Sequence, residues 1–401
     1  MKQAGSADLA LMGGSVPNWL FERMTKMSLA IVEAILTEYG HAHLLAKMAD
    51  PFWFQSFGAV IGMDWNSSGV TTTVMRALKR SVNPHGHELG LYICGGKGKH
   101  SLKTPNELVR IGDSTGLDGD LLSRNSKLIA KVDNTAVQDG YQLYIHNFVL
   151  STGGEWAVVQ QGMNTKDNSA RRYHWHSGAI TSFVNEPHAA VCGDNQGDIL
   201  NLVAEAASNT RKGILDITSE DPEKILKEIP KLLVPATKGV RARDVDIKRL
   251  GGVLQLAQEM QHKEFEDLLL LKGLGPRTLQ SLTLVSEVIH GTPTRFSDPA
   301  RFSFAHGSKG GNPYPVPTKV YDETLTTLRK AVDMAKLGQT DKQKAIQKLG
   351  NMARKIEEKH EPKASVEEVL EKEKRDSWKY GGRTIKGFEK PPKGGQLDLF
   401  S

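Results

Sequence analysis

The sequence predicts an α+β protein: an N-terminal mixed domain with a mostly antiparallel sheet, an all-helical domain after it, and a basic tail that is part helical and part disordered. Three observations carry this expectation. Helix and strand patterns mix without a repeat over residues 1–205, strand patterns vanish from about Asn209 to Ala305, and Lys, Gly and Pro dominate much of the remainder. A chain of 401 residues has room for two or three domains and at least one large core. We place the boundaries at 1–205, 206–305, 306–380 (a linker and charged helices) and 381–401 (a flexible tail).

Taken in order, Pro17–Gly40 has apolar residues at helical spacing and closes on a glycine suited to a C-cap; His41 and His43 then begin a further helix. Gly69–Val82 reads as a helix with Ser67 or Ser68 as its N-cap. The stretch ELGLYICGG is a short buried strand running into a glycine turn, after which Lys97, Lys99, His100 and Lys103 crowd one loop. Thr104 is placed as the N-cap of the next helix, with Pro105 as its first residue. Ser126–Gly140 is expected to be helical, and Tyr141–Gly162 is a hairpin of two β-rich runs joined at Ser151–Gly154. Short helices come next at Asp221–Leu233, Val253–Met260, Glu264–Lys272 and Pro276–Gly291, and charged helices over 321–375.

Composition narrows the setting. No apolar run approaches the ~20 residues that span a bilayer, so no membrane role is expected. The first residues lack a basic-then-apolar signal pattern, and Cys94 and Cys192 are too few for a disulfide framework; both fit the cytoplasm. The net charge of +6 is concentrated at one end, because from His306 onward 20 Lys and Arg face 14 Asp and Glu, a surplus of 6. Basic tails commonly attach to polyanions.

The strongest internal motif is LLLLKGLGPRTLQSLTLV, Leu268–Val285. A helix stops at Lys272, Gly273-Leu274-Gly275 makes the turn, and Pro276 opens the next helix at its favoured first position. Backbone N–H groups at such a helix start attract anions without reading a base, and Lys272, Arg277 and Thr278 stand beside them. The arrangement resembles the helix-hairpin-helix module of DNA repair and recombination proteins, which implies a grip on the DNA backbone by Lys272, Gly273, Leu274, Gly275, Arg277 and Thr278.

The first domain holds nine of the 13 histidines. In ARRYHWHSG, His174 and His176 project from one strand face as candidate metal ligands or acid–base groups, Arg171 and Arg172 as phosphate contacts, and Tyr173 and Trp175 as stacking groups. Asp64, Asp133 and His146 complete the candidate catalytic set, with His174, His176 and Asp133 as ligands to Mg or Mn. Lys97 and Lys99 join the DNA contacts; their loop lacks the spacing of a nucleotide-binding P-loop.

The chain ends in GGQLDLFS, three large apolar residues behind a Gly-Gly hinge. Gln396-Leu397-Asp398-Leu399-Phe400 resembles the peptide by which bacterial replication and repair proteins hold the β sliding clamp, the glutamine making polar contacts and Leu and Phe filling an apolar cleft. Further stretches, among them DPFWFQSFGAVIGMDWNSSGVTT, GGKGKHSLKTP, KVDNTAVQDGYQLYIH and DPARFSFAHGSKGGNPYPV, resemble a prokaryotic domain-of-unknown-function family, number seven-six-three, over about residues 5–320. That resemblance brings no catalytic residue with it.

The leading expectation is a clamp-recruited, metal-dependent nuclease of DNA repair or replication. The alternative is a non-catalytic adaptor for single-stranded or branched DNA, and the third reading is a DNA glycosylase using Asp298, which precedes Pro299 beyond the hairpin.

Overall fold

A computed structural model describes residues 5–6, 9–10, 16–63, 69–166, 169–232, 247–260, 264–300, 302–303, 318–359, 375, 383–384 and 387–388. The chain divides into two compact units, Gln3–Leu349 and a second formed by Met1–Lys2 with Gly350–Ser401. The larger unit is mixed α and β, as expected. Its elements in order are β1 (Gly5–Ser6), β2 (Leu9–Ala10), α1 (Asn18–Met48), α2 (Pro51–Ile61), α3 (Gly69–Val82), α4 (Gly86–Leu89), β3 (Leu91–Lys97), α5 (Thr104–Thr115), α6 (Gly119–Lys131) and β4 (Val137–Gln138). The hairpin β5 (Gln142–Ser151) and β6 (Trp156–Asn164) is next, then β7 (Ser169–His176), β8 (Ala190–Cys192) and β9 (Asp198–Asn201). Helices α7 (Ser208–Ser219), α8 (Pro222–Leu232), α9 (Ile247–Met260), α10 (Phe265–Leu270) and α11 (Pro276–His290) succeed them, with β10 (Phe296–Ser297) and β11 (Phe302–Ser303) behind. Helix α12 spans Thr318–Met334, and α13 (Gln339–Lys359) crosses the division between the units. In the smaller unit β12 (Arg383–Thr384) pairs antiparallel with β13 (Gly387–Phe388).

The main sheet runs β1-β11-β8-β7-β6-β5-β3. From β8 to β3 it is antiparallel, β11 and β1 extend it in parallel, and β2 pairs with β7. Both faces are covered, which is why β5 to β7 are buried nearly throughout instead of alternating with polar positions. On one face, Gln161, Arg172 and His174 meet Thr71, Gln55 and Met48 of α1 to α3. On the other, His146 and Gln160 meet Ser126 and Ile129 of α6.

Local sequence explains the element ends. Asp50 caps α2 by accepting from the N–H groups of Phe52 and Trp53 at 2.8 and 3.0 Å, and Pro51 occupies the first turn. Helix α1 breaks at Gly40 and resumes at once, as the sequence suggested. Thr104 is not the cap of α5: it lies within the helix and donates to the Ser101 carbonyl at 2.8 Å, tying the lysine loop down. The expected helix over Ser126–Gly140 stops at Lys131, passes through one π-type turn at Val132–Ala136 and becomes β4. The cause is polar: Asp133 is drawn into buried hydrogen bonds and Asn134 accepts from the Leu143 N–H at 3.2 Å.

One continuous apolar cluster runs from Cys94 through Trp175 and Leu202 to Leu254, Leu282 and Ala300. It draws on residues both before and after the boundary expected at 205, so the sheet and the helices behind it share a core.

Candidate nucleic-acid interface

The turn between α10 and α11 is built from an apolar underside and a polar outer edge. Leu268, Leu269, Leu271, Leu274 and Leu279 are buried, while Lys272, Gly273, Pro276 and Arg277 are exposed. Gly273 adopts φ +92°, a conformation that favours glycine, and around Gly275 there is open space where a side chain would otherwise begin. No side chain caps the start of α11 among the described residues. Thr278 is buried, and its hydroxyl has no hydrogen-bond partner among the described residues. From behind, Lys131 of α6 donates to the Leu274 carbonyl at 2.5 Å and Gln138 of β4 donates to the Pro276 carbonyl at 2.8 Å. Both props hold the turn through its carbonyls, which leaves its outer edge to solvent. Burial pulls the Lys131 ammonium below its ordinary range.

The lysine loop emerges at the same end of the sheet. Lys97 closes β3 opposite Ile145 of β5, and its ammonium stands 5.7 Å from the Tyr144 ring. Two residues before Ile145 on β5, Leu143 is bonded to Asn134, which lies in sequence between Lys131 and Gln138. A short bonded path therefore joins the two basic elements. Lys97, Lys99, His100 and Lys103 are all exposed.

The structure gathers part of the expected catalytic set, but inside the core. His146 Nδ1 donates to Gln160 Oε1 at 2.6 Å, so its Nε2 accepts from the Ser126 hydroxyl at 2.8 Å. Gln160 Nε2 donates to Asp133, which also accepts from Trp175 Nε1 at 2.9 Å and from His188 Nε2 at 2.5 Å. Ser126 and His188 belong to this chain of bonds although no motif marks them in the sequence, and Trp175 joins it as a hydrogen-bond donor, not as the stacking group expected. Burial pushes the His146 pKa down to about 4, which keeps the imidazole neutral.

Arg171 and Arg172 are adjacent on β7 and so project to opposite faces, and both are fully buried. Arg171 bonds Asp298 through two nitrogens at 2.9 and 2.8 Å and Asp139 at 2.9 Å, and its guanidinium stacks 4.7 Å from the Tyr141 ring. Burial opposes its charge, but the carboxylates of Asp139 and Asp298 outweigh that and hold it above its ordinary range. Arg172 donates to His174 Nε2 at 2.8 Å and to Gln55 Oε1 at 3.1 Å, and its guanidinium lies 4.8 Å from the Phe54 ring. These two arginines are framework, not the surface phosphate contacts expected from the sequence, because the partners that bury them lie on distant segments. Tyr173 and Trp175, expected to stack on bases, are equally enclosed. Asp298, the glycosylase candidate, is committed to Arg171 and to the N–H groups of Gln196 and Ala300 at 2.7 and 2.9 Å.

The expected metal ligands do not fit a Mg or Mn centre. His174 has both nitrogens engaged, Nε2 by Arg172 and Nδ1 by the Met48 carbonyl at 3.0 Å, and burial followed by the Arg172 charge drives its pKa well down. His176 shares that face and is partly exposed, whereas Trp175, which points the other way, is the residue bonded to Asp133. Asp133 is thus across the sheet from both histidines. Among the described residues no three His, Cys, Asp or Glu side chains converge as a metal cage. Asp64 and the terminal peptide Gln396–Phe400 lie outside the described residues. No helix among the described residues is long and apolar enough to cross a membrane.

Comparison with known proteins adds one match. The model of a family described as a protein of unknown function (DUF763) matches residues 5–316. No curated protein and no solved structure matches the chain.

Proposed function

The chain belongs to that family of unknown function, and from that premise we propose that it is a non-catalytic DNA-binding adaptor of replication or repair, recruited by the bacterial β sliding clamp. The observation that carries the reading is the exposed Lys272–Arg277 turn, propped from behind by Lys131 and Gln138 at the sheet end from which the Lys97–Lys103 loop emerges. Two basic elements at one end of the sheet, one leading into a helix N-terminus, suit a sugar-phosphate backbone and contain nothing that selects a base. The terminal Gln396–Phe400 peptide supplies the second attachment, so that clamp and DNA together hold the chain more tightly than either alone. The adaptor is preferred to the nuclease because Asp133, His146 and His174 spend their polar atoms on buried framework partners, Gln160 for the first two and Arg172 for the third.

Fluorescence anisotropy with a labelled duplex tests the DNA arm. Lys272→Glu with Arg277→Glu is expected to weaken binding at least about tenfold at moderate salt, and wild-type affinity is expected to fall steeply as salt rises. Unchanged affinity in the double variant would overturn the hairpin as the binding element. Co-elution with purified clamp tests the other arm: deleting residues 396–401 should abolish it and leave duplex binding intact. Cleavage of nicked or flapped DNA by the purified chain with Mn²⁺ would return the case to the nuclease.

A further inference from the structure

The loop between β3 and α5 presents an apolar side chain to solvent. Leu102 is 81% exposed, more than any other large hydrophobic side chain among the described residues. Single exposed leucines are common on protein surfaces; the setting of this one is unusual. It sits in Lys97-Gly98-Lys99-His100-Ser101-Leu102-Lys103, where every residue except the partly covered Ser101 is exposed and four of the seven are basic.

The loop is also held firmly. Ser101 donates to the Gly98 carbonyl at 2.6 Å and Thr104 to the Ser101 carbonyl at 2.8 Å. At its root, the Lys79–Glu107 ion pair of 2.7 Å grips Gly95 from both sides, Lys79 donating to its carbonyl at 2.9 Å and Glu107 accepting from its N–H at 2.8 Å. Leu102 therefore has a fixed mount, and the backbone ordering of the loop that carries it is already spent on folding.

Resting on the DNA-binding reading, we propose that Leu102 is a wedge that enters between neighbouring base pairs of the bound duplex, so that the protein favours DNA whose stacking is already broken by a nick. Charge complementarity selects this occupant. Lys99, His100 and Lys103 flank the leucine where phosphates flank a base step, and lysine is depleted in the protein interfaces that would otherwise cover an exposed leucine. Apolar wedges on architectural proteins work in this way, unstacking one step in exchange for a closer backbone grip. A nick lowers the unstacking cost.

An aminopurine-labelled duplex reports unstacking as a rise in fluorescence, and anisotropy on intact and nicked duplexes reports preference. Wild type is expected to raise the fluorescence and to bind the nicked duplex about tenfold more tightly, equivalent to one unstacking penalty of about 1.4 kcal/mol. Leu102→Ala should lose both effects while still binding duplex in a salt-dependent way, because the phosphate contacts survive. Leu102→Phe should keep both. Wild type that binds duplex without a fluorescence rise, or Leu102→Ala that retains the rise, refutes the wedge and leaves the adaptor standing. Wild type that binds no DNA refutes both. If phosphatidylglycerol vesicles capture wild type but not Leu102→Ala and the DNA signals are unchanged, Leu102 serves a lipid surface and the wedge is wrong.

Discussion

His146 shows how a single buried side chain converts packing into a pH dependence. The folded chain holds its imidazole neutral down to about pH 4, whereas an unfolded histidine takes a proton near 6.5. Above about pH 6.5 neither state is protonated and the residue adds no slope. As pH falls from 6.5 towards 4, the unfolded state binds a proton that the folded state refuses, so stability declines, by about 3 kcal/mol for this residue. His174, also pushed down by burial, acts in the same direction. We expect urea midpoints to drop between pH 7 and pH 5, and His146→Gln to show a shallower drop, although its lost bonds to Ser126 and Gln160 lower the midpoint at every pH. Equal slopes in the two proteins would mean that His146 is not the titrating group.

At the scale of elements, the glycine pair near the end of β3 is the tightest joint near the proposed interface; the turn expected at Gly95-Gly96 is strand, paired to β5 through Lys97. A methyl group on Gly95 would stand 2.1 Å from the His146 carbonyl oxygen and 2.4 Å from the Thr104 hydroxyl, on a backbone with φ +89°. Gly95→Ala is therefore expected to cost about 3 kcal/mol by overpacking and to displace the lysine loop. Thermal denaturation checks the first effect and duplex affinity the second; a variant with wild-type melting would mean that the joint gives way easily. Elements of this kind were partly legible in the sequence. Helix α3 matches its expected limits, and the β5–β6 hairpin is signalled by its β-rich runs and Gly153-Gly154. The period of two correctly put His174 and His176 on one strand face. Periodicity does not reveal that helices cover both faces, and so it mistook Arg171, Arg172 and His174 for surface or ligand groups. The partners that explain them, Asp298 at 127 residues from Arg171 and Met48 at 126 from His174, have no local signature. Leu102 did leave a trace, an apolar residue inside a lysine-rich glycine loop, but only its exposure distinguishes a protruding side chain from a buried one.

Over the larger unit, the question is whether the sheet and the helices behind it fold as separate bodies. Arg171 argues against that. It lies on β7, while Asp298, one of its two carboxylate partners, comes after α11, so the guanidinium closes a ring of sequence that encloses α7 to α11. The apolar cluster spans the same elements, from Phe148 and Trp175 on the sheet to Leu268 and Leu282 on the hairpin helices. A fragment ending at residue 205 would expose the part of that cluster packed against α7 to α11 and leave Arg171 with Asp139 as its one carboxylate partner. Breaking a buried ion pair from one side typically costs about 3–5 kcal/mol, a large part of the stability of a whole domain. We therefore expect fragment 1–205 to lack a cooperative urea transition, and Arg171→Met in the full chain to lower the midpoint of a single transition followed by tryptophan fluorescence. Arg171→Lys should recover little, since an ammonium cannot span two carboxylates with the planar fork that Asp298 requires. A fragment 1–205 that unfolds as sharply as the intact chain would show instead that the sheet is self-sufficient, and the hairpin would then be an appended module free to meet DNA independently of the Lys97–Lys103 loop.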